Sequence, residues 1–133
     1  MRNLVIGAPG FAAIALIEAL LARGEGVRAI VRPGQPARRL AETDVEVRQL
    51  PLTDNAGLMA ALQGVERLYY ADWSFRDWGV EDLSEGFAVR GLRNLLAAAT
   101  RNQVGRLIYL STTDVYGFPE RPVDESEQLA PPG

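Results

Sequence analysis

The feature that most constrains this chain is a short apolar run that ends in glycine and leads directly into a helical pattern. Residues 3–7 read NLVIG, and a run of this kind is typical of a strand buried on both faces of a sheet. Apolar residues then recur at helical spacing from Ala13 to Leu21, and Gly24 ends the predicted helix. A buried strand joined to a helix in this way predicts the first unit of an α/β fold.

The alternation of strand and helix continues along the chain. The further predicted strands cover residues 27–31, 45–47, 65–71 and 106–111. Helices are predicted on either side of the fourth strand, and Thr53-Asp54 offers an N-cap for the first of them. This order indicates right-handed crossovers. We therefore predict an α/β, doubly wound, Rossmann-like parallel sheet of about five strands in the order 3-2-1-4-5, flanked by helices.

The third predicted strand differs from the others, because apolar and charged residues alternate around Val45 and Val47. Such a pattern favours a half-exposed strand, which fits the edge of the sheet. We expect one Rossmann domain over residues 1–117, and a loop-like tail rich in proline and acidic residues over residues 118–133.

The turn after the first strand has the composition of a phosphate-binding loop. Gly7 would allow the tight turn, Gly10 would let the backbone approach a pyrophosphate, and Ala13 would allow close helix packing. Backbone N–H groups at a helix start, together with the helix dipole, favour an anion there. The alternative interpretation is a plain turn whose small residues serve packing alone.

Composition excludes several classes of function. The 133 residues contain no cysteine, histidine or lysine, so they can form no disulfide, Ser-His-Asp triad, Walker lysine or Schiff-base lysine. The net charge of -3 and the pI near 5.0 give no attraction to nucleic acid or to an anionic membrane. No apolar run reaches the roughly 18 residues of a membrane span, and the amino terminus lacks signal-peptide features. We expect a cytoplasmic protein.

An ordered series of segments resembles the extended short-chain dehydrogenase/reductase family, which includes nucleotide-sugar epimerases and dehydratases. NLVIGAPGFAA is similar to the TGxxGxxG loop of that family, and LPLTDNAGLMAALQGVERLYYAD to its third strand, helix and fourth strand. RGLRNLLAAATRNQVGRLIYLSTTDVYG resembles the segment that leads to the active-site serine or threonine. PVDESEQLAPPG resembles the loop that precedes the family's Tyr-x-x-x-Lys motif. The resemblance covers essentially the whole chain.

The resemblance implies an NAD(P)-binding domain of an oxidoreductase that acts on a nucleotide sugar or a similar carbonyl compound. It implies dinucleotide contacts at six positions: Gly7, Gly10, Phe11, Ala12, Leu52 and Ala71. Thr112 matches the hydroxyl that holds the substrate beside the catalytic tyrosine.

The residue after the second strand bears on the choice between NAD and NADP. Relatives that prefer NAD usually carry an acidic residue there for the ribose hydroxyls, whereas this chain has Arg32. A guanidinium can bind the 2′-phosphate of NADP through two hydrogen bonds, so Arg32 favours NADP, with Arg38 and Arg39 as candidates to assist. A solvated surface is the alternative role for all three arginines.

Five departures from the family pattern concern chemistry. The Tyr-x-x-x-Lys motif is absent, and no lysine stands four residues after any tyrosine. Without such a lysine a tyrosine is a poor proton-transfer group near neutrality. The other departures lie at four positions that resemble cofactor or active-site positions of relatives: Pro9, Pro51, Asp72 and Ala88.

Two explanations remain open at this point. The chain is either a piece of a longer enzyme or a diverged, non-catalytic dinucleotide sensor or protein-interaction module. The 133 residues themselves are expected to be inactive in the family reaction.

Three further groups of residues have more than one interpretation. Trp73, Phe75 and Trp78 predict either an aromatic wall for a substrate or a self-packed lid. An apolar stripe on the last helix predicts core packing, and the resemblance adds a homodimer contact; it comprises Leu92, Leu95, Leu96 and Ala99. The carboxylates at 124, 125 and 127 are read as a solvated loop, so no metal site is predicted.

Overall fold

A computed structural model describes residues 2–72 and 87–131, apart from the side chains at 87 and 88. The five strands in these ranges are β1 (Arg2–Ala8), β2 (Gly26–Val31), β3 (Glu46–Gln49), β4 (Arg67–Tyr70) and β5 (Arg106–Tyr109). The α-helices are α1 (Phe11–Ala22), α2 (Arg38–Ala41), α3 (Asn55–Ala61) and α4 (Phe87–Arg101). A single turn of 3-10 helix, Thr113–Tyr116, follows β5.

The strands form one parallel sheet in the order β3-β2-β1-β4-β5. One row of paired residues crosses all five strands; in spatial order it is Val47, Ala29, Val5, Tyr69 and Ile108. The predicted fold class and strand order are therefore confirmed. Because all strands are parallel, their carboxyl ends meet at one edge of the sheet, where ligands of doubly wound folds bind.

Two apolar clusters cover the two faces of the sheet. Leu4 and Ile6 of β1 face α3 and α4, where they join Leu95 in one buried cluster. Val5 points the other way and packs in a second cluster with Ile17 of α1. The first strand is thus buried on both faces, as its uninterrupted apolar run predicted.

The helix ends follow the predicted signals. Asp54 caps α3, since its Oδ1 accepts a hydrogen bond of 2.9 Å from the Gly57 N–H. Gly24 follows the end of α1 with φ +72°, and its N–H donates to the Leu21 carbonyl oxygen. A side-chain cap therefore begins α3, and a glycine with positive φ follows the end of α1, where the sequence indicated.

The short helix α2 was not predicted. It is a single turn, and Leu40, which packs in the cluster on the α1 side, is its buried residue. One buried residue is too few to produce a helical periodicity. The half-exposed strand predicted around Val45 and Val47 is confirmed as the edge strand β3.

A charged residue lies inside the sheet beneath α3. Arg28 of β2 is buried, and its Nε is 2.9 Å from a carboxylate oxygen of Glu46 on β3. Its Nη1 donates to the carbonyl oxygens of Ala61 and Gln63 at the end of α3. Ala61 is the last residue of α3 and Gln63 lies two residues beyond it, so Arg28 joins two strands and the segment that ends a helix.

The other edge strand is exposed along its whole length. Leu107, Ile108, Tyr109 and the adjoining Leu110 are each 37% to 42% exposed. Within the described ranges no strand pairs with the outer edge of β5. An exposed apolar edge of this kind favours pairing with another strand.

After the 3-10 helix, the described residues up to 131 contain no further helix or strand. This segment folds back, because the Ala130 N–H donates to the Val115 carbonyl oxygen at 2.9 Å. Among the described helices, none is long and apolar enough to cross a bilayer.

Candidate functional site: the carboxyl edge of the sheet

The loop between β1 and α1 is a tight turn held by its own backbone. Gly7 has φ +119°, and its carbonyl oxygen accepts a hydrogen bond of 2.8 Å from the Gly10 N–H. Gly10 precedes the helix, and its carbonyl oxygen accepts the first helical bond, from the Ile14 N–H at 3.0 Å. The bond between Ala8 and Pro9 is cis. Proline at position 9 means that this residue provides no backbone donor.

Two glycines leave this turn bare because there is no room for a side chain. A β-carbon on Gly7 would lie 2.4 Å from the Ala71 carbonyl oxygen and 2.8 Å from the Asp72 nitrogen. A β-carbon on Gly10 would lie 2.8 Å from the Gly7 carbonyl oxygen. Both distances are far below normal carbon contacts, so the turn packs directly on the end of β4, and its two glycines present only backbone to a ligand.

The start of α1 has the properties of an anion site. The helix has 12 residues, its N-cap Gly10 provides no capping side chain, and no acidic residue lies in its first turn. Phe11 is 77% exposed, Ala12 is half-buried, and Ala13 is buried against the sheet. The positive end of the helix dipole therefore faces a turn in which Gly7 and Gly10 leave the backbone bare, which fits the pyrophosphate of a dinucleotide.

The predicted cofactor residues Ala71 and Leu52 occupy different surroundings. Ala71 touches the Gly7 turn, and its N–H donates to the Ile6 carbonyl oxygen at 2.9 Å. Leu52 is buried in the cluster on the α3 and α4 side, and its carbonyl oxygen accepts a bond of 3.1 Å from the Asn94 amide. The structure thus brings Ala71 to the turn and places the Leu52 side chain in the core.

Arg32 lies at the end of β2, on the side of the Gly7 turn nearest the β3 edge. Its carbonyl oxygen accepts from the Gln35 N–H at 3.1 Å, and Gly34 has φ +82°. A four-residue turn with proline at its second position and glycine at its third therefore holds the half-buried Arg32.

Arg39, a candidate to assist Arg32, is directed elsewhere. Its Nη2 lies 3.5 Å from a carboxylate oxygen of Glu18. Glu18 is eight residues after Gly10, or roughly 12 Å along α1 at the usual rise per residue. This pair places the guanidinium beside the middle of α1, whereas Arg38 is exposed at the start of α2.

A cluster that sequence reasoning missed lies beside the turn, on β4 and β5. The rings of Tyr70 and Tyr109 stack, with centroids 5.2 Å apart. Burial raises the pKa of Tyr70 to about 12; the charge of Asp72 and the neighbouring Tyr109 act in the same direction, and Arg32 opposes them. Burial and the Asp72 charge also raise the pKa of Tyr109. Both phenols are therefore neutral at physiological pH.

Register could have located this pair, because Tyr70 and Tyr109 are opposite each other on adjacent parallel strands. Asp72 was identified from the sequence as a departure from the family, and the structure adds that it is only 5% exposed. A buried carboxylate at the edge that binds ligands is a strong local electrostatic feature.

Thr112 lies beyond β5 at the same edge. It is exposed, and its hydroxyl oxygen accepts a bond of 3.3 Å from the Asp114 N–H, which caps the 3-10 helix. The hydroxyl hydrogen remains able to donate. Next to Thr112, a groove of about 510 Å³ is lined by Thr113, Asp114 and Phe118, among others.

Several predictions concern residues outside the described ranges, namely Trp73, Phe75, Trp78 and the side chain of Ala88. In the described part of the chain, no group of three His, Cys, Asp or Glu residues could hold a metal ion. Asp124 instead accepts hydrogen bonds from the Ser126 hydroxyl and N–H, which lower the pKa of its carboxyl.

The parallel sheet and the glycine turn at its carboxyl edge define a Rossmann-like protein. The chain belongs to the NAD dependent epimerase/dehydratase family, whose model matches residues 3–133. It is 38% identical over 120 residues to the sterol demethylase protein B of Methylococcus capsulatus, a match that covers 89% of this chain and 36% of that protein.

Two solved structures extend the comparison. A short-chain dehydrogenase/reductase superfamily protein from Agrobacterium tumefaciens with bound NAD is 31% identical, with a TM-score of 0.82, over 100% of this chain and 40% of that one. A UDP-glucose 4-epimerase from Thermus thermophilus in complex with NAD is 28% identical, with a TM-score of 0.83, over 98% of this chain and 45% of that one. The chain thus spans less than half of each protein.

Proposed function

We propose that this chain binds a nicotinamide dinucleotide as the cofactor-binding part of an epimerase/dehydratase-like oxidoreductase. The observation that carries the proposal is the bare Gly7 turn, pressed against Ala71 at the positive end of α1. A turn without side chains at a helix start binds a pyrophosphate through backbone N–H groups and the helix dipole. The two related structures described above, each with NAD bound, support the same assignment.

The test uses a charge placed in the turn. Phe11 is exposed at the first position of α1, so Phe11→Asp adds a carboxylate that the helix dipole stabilises but that repels a pyrophosphate. We expect calorimetric titration to give micromolar binding of NADP or NAD to the wild type and at least roughly tenfold weaker binding to Phe11→Asp. Leu129→Asp is the matched control, because Leu129 is also exposed and lies outside both the turn and the groove beside Thr112.

Either of two results would count against this proposal. One is the absence of binding of both dinucleotides to a folded wild-type chain. The other is an equal loss of affinity in the Phe11→Asp and Leu129→Asp variants. A non-catalytic interaction module would then explain the chain better, and Pro9, Pro51 and Asp72 would be the features to examine.

The preferred cofactor in this proposal is NADP. Arg32 lies at the end of β2, where its guanidinium can pair with a 2′-phosphate. Arg32→Ala should weaken NADP binding while NAD binding changes little, and Arg101→Ala, at an exposed position at the end of α4, provides the matched control. A similar loss for both cofactors would remove the assignment to the 2′-phosphate.

In the parent reaction, we assign to Thr112 the donation of a hydrogen bond to the reacting oxygen of the substrate. The nicotinamide would supply hydride transfer when bound. Tyr70 and Tyr109 are poor candidates for proton transfer, because both pKa values are raised, whereas a tyrosine base needs a lowered one. The chain contains no lysine that could lower them. A chain that binds the dinucleotide without catalysis fits this residue set, and a sensor role is the second candidate.

The substrate is proposed to be a carbonyl compound, either a nucleotide sugar or a less charged molecule. The groove beside Thr112 is lined by Asp114, Asp124 and Glu125 together with apolar side chains, and no arginine lines it among the described residues. Carboxylates oppose a diphosphate, so this groove favours an uncharged carbonyl compound. The two substrate classes can be separated by thermal unfolding in the presence of NADP. Protection by UDP-glucose would favour a nucleotide sugar, and protection by a sterol ketone would favour an uncharged carbonyl compound.

A homodimer is also proposed, and the β5 edge is its best-supported surface. Of the stripe on α4, Leu95 and Ala99 are buried in the core, and Leu96 is 39% exposed. The strand β5 instead exposes four consecutive residues, and no described strand pairs with its outer edge. Sedimentation equilibrium should therefore show that Ile108→Lys weakens self-association more than Leu96→Lys does. A larger effect of Leu96→Lys would assign the contact to α4. A wild-type chain that is monomeric at tens of micromolar would contradict the homodimer proposal.

A further inference from the structure

The order of strand ends determines which part of a bound dinucleotide each residue meets. Arg32 follows β2, Gly7 lies at the end of β1, Asp72 follows β4 and Thr112 follows β5. The sheet order is β2-β1-β4-β5 across this edge. With the 2′-phosphate at Arg32, the pyrophosphate at Gly7 and the reacting carbon at Thr112, the nicotinamide end passes Asp72. This placement rests on the proposed function.

Asp72 is a buried group at that point. It is 5% exposed, and its backbone nitrogen would lie only 2.8 Å from a β-carbon on Gly7. Asp72 follows β4, which lies between β1 and β5 in the sheet, so it stands between the Gly7 turn and Thr112; its charge contributes to the raised pKa of both Tyr70 and Tyr109. The negative charge is therefore felt on the side of the Gly7 turn where Thr112 lies.

The two redox forms of the cofactor differ in charge at one place. The oxidised nicotinamide ring carries a positive charge and the reduced ring is neutral, whereas the phosphates are the same in both forms. A carboxylate near the ring attracts only the oxidised form, and a carboxylate near the pyrophosphate repels both forms equally. The ratio of the two affinities thus reports which group the carboxylate faces.

We propose that Asp72 is a specificity-determining residue that makes the site prefer the oxidised dinucleotide over the reduced one. A buried carboxylate is weakly screened by solvent, so its effect on a nearby cation is larger than that of a surface acid. The consequence would be a chain that holds NADP+ and releases NADPH. The free site would then carry the oxidised form, and the bound cofactor would be a weaker oxidant than the free one, because its reduction loses the attraction to Asp72.

The experiment measures the dissociation constants of NADP+ and NADPH by calorimetry for the wild type and for Asp72→Asn. We expect Asp72→Asn to lower the ratio of the NADPH constant to the NADP+ constant about tenfold, chiefly through weaker NADP+ binding. Asp44→Asn is the matched control, because Asp44 is exposed and precedes β3 at the opposite edge of the sheet. Asp72→Ala provides a second neutral variant if the asparagine variant unfolds.

The alternative outcomes are distinct. If Asp72→Asn tightens both forms equally, the carboxylate opposes the pyrophosphate and the proposal is overturned. An unchanged ratio in both Asp72 variants overturns it as well, while dinucleotide binding and the proposed function stand. If the wild-type chain binds neither form, the proposed function fails and this inference fails with it.

Discussion

The rings of Tyr70 and Tyr109 stack across the β4–β5 pair, with their planes 12° from parallel. Burial, Asp72 and Tyr109 raise the pKa of Tyr70 to about 12, from an ordinary value of 10.0. A raised pKa means that the folded chain holds this proton more tightly than the unfolded chain does. The stability from this difference is complete below pH 10 and is lost as the pH rises towards 12.

Tyr70→Phe should make the protein less sensitive to alkali, because it keeps the ring and removes the titrating hydroxyl. We expect the thermal unfolding midpoint of the wild type to fall more steeply between pH 10 and 12 than that of the variant. Tyr116→Phe removes a hydroxyl outside the stack and serves as the control. If the unfolding midpoints of the wild type and of Tyr70→Phe fall equally with rising pH, a group other than Tyr70 determines the alkaline loss of stability.

Gly7→Ala should destabilise the fold as well as the site. The substitution adds a β-carbon 2.4 Å from the Ala71 carbonyl oxygen at a residue whose φ is +119°. Strain and overpacking together should cost at least about 2 kcal/mol of unfolding free energy in urea. Gly64→Ala is the control, since Gly64 also has a positive φ, +71°, but has open space around it. We expect that variant to lose only about 1 kcal/mol.

Arg28→Ala should be among the costlier substitutions in the sheet. It removes the buried partner of Glu46 and the donor to two carbonyl oxygens at the end of α3. Glu46 is partly exposed and keeps Arg48 as a partner, so the loss comes mainly from the two carbonyl oxygens left without a donor, about 2 kcal/mol. Arg48→Ala removes an exposed partner, 2.7 Å from the same Glu46, and should cost less than about 1 kcal/mol. If both variants lose the same unfolding free energy in chemical denaturation, the buried contacts of Arg28 contribute no more to stability than the exposed pair of Arg48.

Asp54→Ala should separate the two N-cap candidates for α3. Asp54 accepts from the Gly57 N–H, so its loss should cost about 1 kcal/mol of unfolding free energy. Thr53 is exposed and is not the cap, so Thr53→Ala should stay within about 0.5 kcal/mol of the wild type. A larger loss from Thr53→Ala would reverse the assignment.

The sequence predicted the elements whose signals are local and repeated. The run at residues 3–7, the helical spacing that follows and the glycine at 24 located β1 and α1, because burial on two faces and a helix end each require particular residue types. The alternation around Val45 and Val47 located the edge strand for the same reason.

The relationships that sequence reasoning missed depend on neighbours in space. The β2 strand was predicted, but an arginine within an apolar run does not reveal a buried partner on β3 or open carbonyls on α3. The stack of Tyr70 and Tyr109 requires the register of two strands 39 residues apart. Of the site residues, Gly7, Gly10 and Ala71 meet at one turn, and their contact with a dinucleotide stays a prediction.

Position 7 also has a genetic consequence. Every single-nucleotide change that replaces glycine encodes a residue with a β-carbon or a stop codon. The β-carbon of each such residue would clash with the backbone of Ala71 and Asp72 at the end of β4. This backbone, unlike a flexible side chain, cannot move aside. We therefore expect amino-acid substitutions at position 7 to be removed by selection. At Gly64 a β-carbon would face open space, so substitutions there are better tolerated.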